Sequence, residues 1–126
     1  MTLGVDLGKT ALAFQEELRL FAASHPRSAA LYRRGLAHFL YGAPMHWVQQ
    51  WPGSYPLYVT RAEGAKLEDV DGHCYVDFAL GDSGAMFGHA HPATVKAIGE
   101  QVARGSTYML PTEDSLWVGE ELTRRF

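Results

Sequence analysis

Apolar residues recur along the first third of the chain at intervals of three and four. Phe14, Leu18, Phe21 and Ala22 form one stripe while Glu16, Glu17 and Arg19 face away, a period that predicts an amphipathic helix from an N-cap at Thr10 to about Ser24. Pro26 ends it, because the residue before a proline is disfavoured in helical geometry. Ser28 is placed to cap a second helix running to Phe39, with Leu31, Gly35 and Phe39 on one side and Arg33 and Arg34 on the other. The period then drops to two. Strands are expected near residues 57–61, 65–69 and 73–78, separated by a tight turn at Ala62-Glu63-Gly64 and by Asp71-Gly72, whose glycine needs a positive φ. In the third strand Cys74, Val76 and Phe78 share one face, and His73, Tyr75 and Asp77 share the other. Leu67 and Val70 lie three apart, so the middle strand is expected to carry a bulge or to end early at Asp69. The helical period returns from Pro92 to Arg104 with Val95, Ile98 and Val102, stops at Gly105, and resumes after Thr112 with Val118, Leu122 and Phe126.

These elements describe an α+β chain in four parts: a loose tail over the first nine residues with two helices (1–40), an irregular loop (41–56), a meander with a glycine-rich loop and a helix (57–105), and a crossing segment with the start of another helix (106–126). The irregular loop holds His46, Trp47 and Trp51 among glycines and prolines. Its tryptophans are expected to cover apolar surface.

Composition narrows the class. The chain has 126 residues, 47% hydrophobic and 20% charged, enough for one domain with a core. A formal net charge of −3 leaves no electrostatic footprint for nucleic acid. Cys74 is the single cysteine and lies on the apolar face of its strand, which predicts a buried thiol in a reducing compartment. With neither a signal-like start nor an apolar run of membrane length, a cytoplasmic protein is expected.

The segment Leu80-Gly81-Asp82-Ser83-Gly84-Ala85-Met86-Phe87-Gly88-His89 leads from strand to helix. It lacks the Gly-Lys-Ser/Thr of a P-loop and the Gly-x-Gly-x-x-Gly of a dinucleotide turn, so a phosphate cradle is not expected. Asp82, with Ser83, has the chemistry to cap a turn. His89 and His91 have no partners at ligand spacing, which predicts structural roles and no metal.

The series Asp69-Val70-Asp71-Gly72, Tyr75-Val76-Asp77-Phe78, the glycine-rich loop and Gly88-His89-Ala90-His91-Pro92, in that order, resembles the amino-terminal segment of class III aminotransferases. These pyridoxal 5'-phosphate (PLP) enzymes include ornithine, acetylornithine and 4-aminobutyrate transaminases and glutamate semialdehyde aminomutase. The resemblance covers roughly residues 38–126. It implies the small-domain part of a fold-type I PLP enzyme, acting as a homodimer on a small-molecule amino donor and a carbonyl acceptor. His46, Trp47, Asp82 and Ser83 are the positions it brings to the substrate pocket. His46 falls near an arginine that receives a substrate carboxylate in some relatives, and Asp82 replaces a residue that is often aromatic. The Gly-His-x-His-Pro form favours transamination over the aminomutase reaction. PLP chemistry needs a Schiff-base lysine, and neither Lys9, Lys66 nor Lys96 matches the family's, which lies far beyond residue 126. The resemblance therefore implies a fragment, a truncated reading frame or one part of a larger chain, inactive alone. The alternative is a binding or regulatory module that keeps the small-domain shape without its chemistry.

Overall fold

The computed structural model describes residue 4 and residues 6–126, and the chain divides into two compact units, Met1–His89 and Ala90–Phe126. The tail expected over the first nine residues lies partly outside the described residues. The first unit begins with α1 (Leu7–Ser24), which starts three residues before the expected Thr10 because Asp6 supplies the cap, its carboxylate accepting the Lys9 N–H at 3.1 Å. The Thr10 hydroxyl instead donates to the Asp6 carbonyl at 3.0 Å.

Helix α2 (Pro26–Gly35) follows after His25 alone. Proline at its first position loses nothing, since that N–H has no helical partner. The expected cap, Ser28, lies inside the helix, and the helix ends at Gly35 rather than at Phe39. The shortening has a steric cause. A side chain at Gly35 would collide with the carbonyl of Gly42, so the chain folds back directly on the last turn of α2. The Tyr58 hydroxyl holds the same Gly42 carbonyl at 3.0 Å. Within the irregular loop, His46–Gln50 forms a short 3-10 helix whose Val48 is buried.

Strands β1 (Val59–Glu63), β2 (Lys66–Asp69) and β3 (Cys74–Val76) form an antiparallel sheet in the order β1-β2-β3. β2 ends at Asp69 as expected, but the bulge lies in β1, where Val59 faces Asp69 and Arg61 faces Glu68. Thr60 is the extra residue, and its hydroxyl donates to the carbonyls of Glu68 at 3.1 Å and Asp69 at 3.3 Å. Gly72 has φ 92°, as its turn requires.

The buried hydrophobic residues among those described are Ala43 and Val48, whereas Ser28, Asp69 and His25 are polar and buried at 0%, 1% and 7% exposure. The unit is thus closed around a polar centre. This reverses one expectation: Cys74 is an exposed free thiol. The face with His73, Tyr75 and Asp77 turns toward the α1–α2 corner, which leaves Cys74, Val76 and Phe78 outward, Phe78 at 94% exposure.

The second unit holds α3 (Pro92–Val102) and α4 (Glu113–Arg125). Gly105, with φ 102°, turns the chain after α3, and the Gln101 side-chain amide donates to its carbonyl at 2.8 Å. Thr112 is the N-cap of α4, as expected, with Glu113 and Asp114 in the first turn and Arg124 and Arg125 in the last, matching charge to the helix dipole.

Candidate functional site

Two side-chain networks organise the first unit. The first begins at the turn after β2. The Asp69 carboxylate accepts the N–H groups of Asp71 and His73 on Oδ1, both at 2.9 Å, and the Tyr75 hydroxyl on Oδ2 at 2.8 Å, with His73 Nδ1 3.2 Å from Oδ2. Burial works to raise the Asp69 carboxyl, but the donors from His73, Tyr75 and Asp71 outweigh it and hold it below its ordinary value. The same burial, with the bond to Asp69, pushes the Tyr75 phenol up to about 12. From the α1–α2 corner His25 enters the network, its Nε2 2.8 Å from the Tyr75 hydroxyl and its ring stacked on Phe21 at 4.3 Å.

Asp71 makes the second tie to that corner. Its carboxylate accepts the backbone N–H of Arg27 at 2.7 Å and of Ser28 at 2.9 Å, and the Ser28 hydroxyl at 2.7 Å. Two of the unpaired donors at the start of α2 are therefore satisfied by a residue 43 or 44 positions away.

The second network closes the glycine-rich loop. Asp77 Oδ1 accepts the N–H groups of Ala79 at 2.8 Å and Leu80 at 3.0 Å, while Oδ2 lies 2.7 Å from His89 Nε2. His89 also exchanges two backbone bonds with Gly64, at 2.9 and 2.8 Å. The contact with His89, then the Leu80 and Ala79 donors, hold the Asp77 carboxyl below its ordinary value. Between these anchors the backbone makes successive turns with positive φ at Leu80 (49°), Gly81 (56°), Asp82 (60°) and Gly88 (92°). At Gly88 a Cβ would stand 3.1 Å from the Gly64 Cα, so the bridge between loop and turn needs glycine there.

His46 and Trp47 open the 3-10 helix and are exposed, Trp47 at 50%. Asp82 and Ser83 are exposed in the glycine-rich loop. The structure brings together instead His25, Asp69, His73 and Tyr75, and separately Asp77 and His89. The carboxylate capping the loop is that of Asp77, not Asp82. His91 is the N-cap of α3, with no side-chain bond to it.

Among the described residues, no lysine is placed to form the Schiff base of PLP. Lys9 and Lys96 are 86% and 77% exposed and pair at 4.0 and 3.9 Å with Asp6 and Glu100, and Lys66 is exposed on β2. A Schiff-base amine is enclosed and desolvated, and none of these is.

Residues 48–126 match the family model described as Aminotransferase class-III. The chain belongs to the class-III aminotransferase family. Across 98% of its length it superposes on a glutamate-1-semialdehyde-aminomutase crystal structure from Pseudomonas aeruginosa PAO1 with a TM-score of 0.91 and 63% identity, covering 27% of that chain. A variant of that aminomutase was solved in complex with PMP. A structure described as a transaminase with PLP bound matches 79% of this chain at 35% identity, with a TM-score of 0.72 and 23% of that chain covered. Among curated relatives, the glutamate-1-semialdehyde 2,1-aminomutase of Methanocaldococcus jannaschii is 41% identical over 71 residues, 56% of this chain and 17% of its own length. The chain thus spans about a quarter or less of the relatives it matches. Its fold is the helix-and-meander part of a fold-type I PLP enzyme.

Proposed function

We propose that this chain is the amino-terminal part of a PLP-dependent enzyme that moves an amino group between an amino donor and a keto acid or aldehyde. The observation that carries this reading is the match of residues 48–126 to the family model described as Aminotransferase class-III. In this reading residues 1–126 are inactive alone, and PLP is held by the rest of the polypeptide. The chain contributes pocket wall: His46 and Trp47 from the irregular loop, Asp82 and Ser83 from the loop closed by Asp77 and His89. A working homodimer in the cytoplasm belongs to the same reading. A second reading, the aminomutase reaction, is favoured by the names of the Pseudomonas and Methanocaldococcus relatives. It differs in needing no external acceptor, because the amino group returns to a neighbouring carbon of the same molecule.

The test is to read the gene through codon 126 and assay the encoded protein with PLP added. A continuation bearing a lysine-containing PLP domain, with transfer from an amino donor to a keto acid followed by chromatography, supports transamination. Conversion of glutamate-1-semialdehyde without any keto acid supports the aminomutase reading. A stop after codon 126, with the chain accumulating as a stable monomer, would instead support a non-catalytic module.

A further inference from the structure

Three potential metal ligands, His25 from the α1–α2 corner, Asp69 from the end of β2 and His73 from the turn after it, converge at the polar centre of the first unit. His25 Nε2 stands 3.4 Å from Asp69 Oδ2, His73 Nδ1 stands 3.2 Å from the same oxygen, and the three atoms lie within 4.8 Å of one another. A tetrahedral ion with bonds of about 2.0–2.1 Å to nitrogen and oxygen spaces neighbouring ligand atoms about 3.3–3.4 Å apart. We propose that His25, Asp69 and His73 bind one divalent transition-metal ion of the zinc class.

The surroundings orient these donors. His25 Nδ1 lies 2.8 Å from the Phe21 carbonyl, which can only accept, so Nδ1 carries a proton and Nε2 faces the cluster. Metal-binding imidazoles are commonly held through the other ring nitrogen in this way. Asp69 Oδ1 is occupied by two backbone N–H groups, which directs Oδ2 inward. The Tyr75 hydroxyl has one proton and stands 2.8 Å from both Asp69 Oδ2 and His25 Nε2. An ion bound by Nε2, Oδ2 and His73 Nδ1 takes the place of that bridging hydroxyl, with Tyr75 moving aside or giving its oxygen as a fourth ligand. Two imidazoles and a carboxylate suit zinc and its neighbours, whereas calcium and magnesium prefer oxygen. The His73 side chain is 40% exposed, which gives the ion access from solvent. The bound ion would join the α1–α2 corner to the meander.

The site is independent of the amino-transfer reading and is tested on the 126-residue chain itself. Metal-free protein is titrated with Zn2+ by calorimetry, and with Co2+ by visible absorption, with circular dichroism of every variant. The expected result is one ion per folded chain, tetrahedral Co2+ bands and a raised Tm. His25→Asn and His73→Asn should each weaken binding more than about tenfold, a difference visible as a shift of the titration midpoint. His91→Asn should bind as the parent does. If His25→Asn fails to fold, His73→Asn decides, since its ring is half-exposed. Absence of stoichiometric binding by the folded chain, or unchanged affinity in His73→Asn, would overturn the proposal.

Discussion

At the scale of single residues, carboxylates set most of the local geometry, and each has a distinct role. Asp71 caps a helix it does not belong to. Asp71→Ala should therefore destabilise the chain by about 0.5–2 kcal/mol, the range for a lost helix cap, and a urea melt would show it as a lower midpoint. Asp77 fastens the glycine-rich loop, and its folded-state carboxyl sits below its ordinary value of 3.8. A depressed carboxyl contributes stability above the ordinary value, and that contribution disappears as the pH falls through the lower, folded value. The Gly64 amide, bonded to the His89 carbonyl at 2.9 Å, should show a titration step in NMR below pH 3.8 that is absent from Asp77→Asn. Asp82 carries the functional question. Its φ of 60° suits asparagine as well as aspartate, so Asp82→Asn leaves the loop geometry in place. If Asp82 touches substrate in the longer enzyme, kcat/KM for donors with a cationic or hydroxylated end should fall by about 1.5–3 kcal/mol, with PLP content unchanged. An unchanged donor profile would remove Asp82 from the pocket.

At the scale of elements, Gly88 joins a left-handed φ to a close approach between two backbone segments. Gly88→Ala combines a φ of 92° with a 3.1 Å approach to Gly64, and should lower stability by about 1–3 kcal/mol in a thermal melt. Much of the element pattern could be read from the chain. The three strands, the Asp71-Gly72 turn, the end of α1 at Ser24 and the Thr112 cap follow from local periods and turn chemistry, which act over a few residues. What could not be read depends on partners far away in sequence. Ser28 has the chemistry of an N-cap, yet α2 starts two residues earlier because Asp71 caps it from across the chain. Cys74 sits among apolar neighbours, yet it is exposed because His25 and Asp69 draw the polar face of the strand inward. The Asp77–His89 pair spans 12 positions, and only the Gly64–His89 bridge shows why Gly-His stands there. His46, Trp47, Asp82 and Ser83 are assigned to the pocket through resemblance alone, and in the structure these residues are exposed.

At the scale of the whole molecule, many large apolar side chains are exposed. Phe78 and Phe87 are 94% and 90% exposed, and Phe14, Val118 and Leu122 are 49%, 48% and 53% exposed. Such surfaces associate in water. Sedimentation of the 126-residue chain should show concentration-dependent self-association, and a monomer with a cooperative melt at high dilution would count against it. The transaminase reading makes a sharper demand, since this part of the polypeptide shapes the pocket while the Schiff-base lysine lies elsewhere. Incubating the folded chain with PLP, reducing with borohydride and mapping the peptides by mass spectrometry tests that demand directly. The expected outcome is no stoichiometric pyridoxyl adduct on Lys9, Lys66 or Lys96; a stoichiometric adduct on one of them would contradict it.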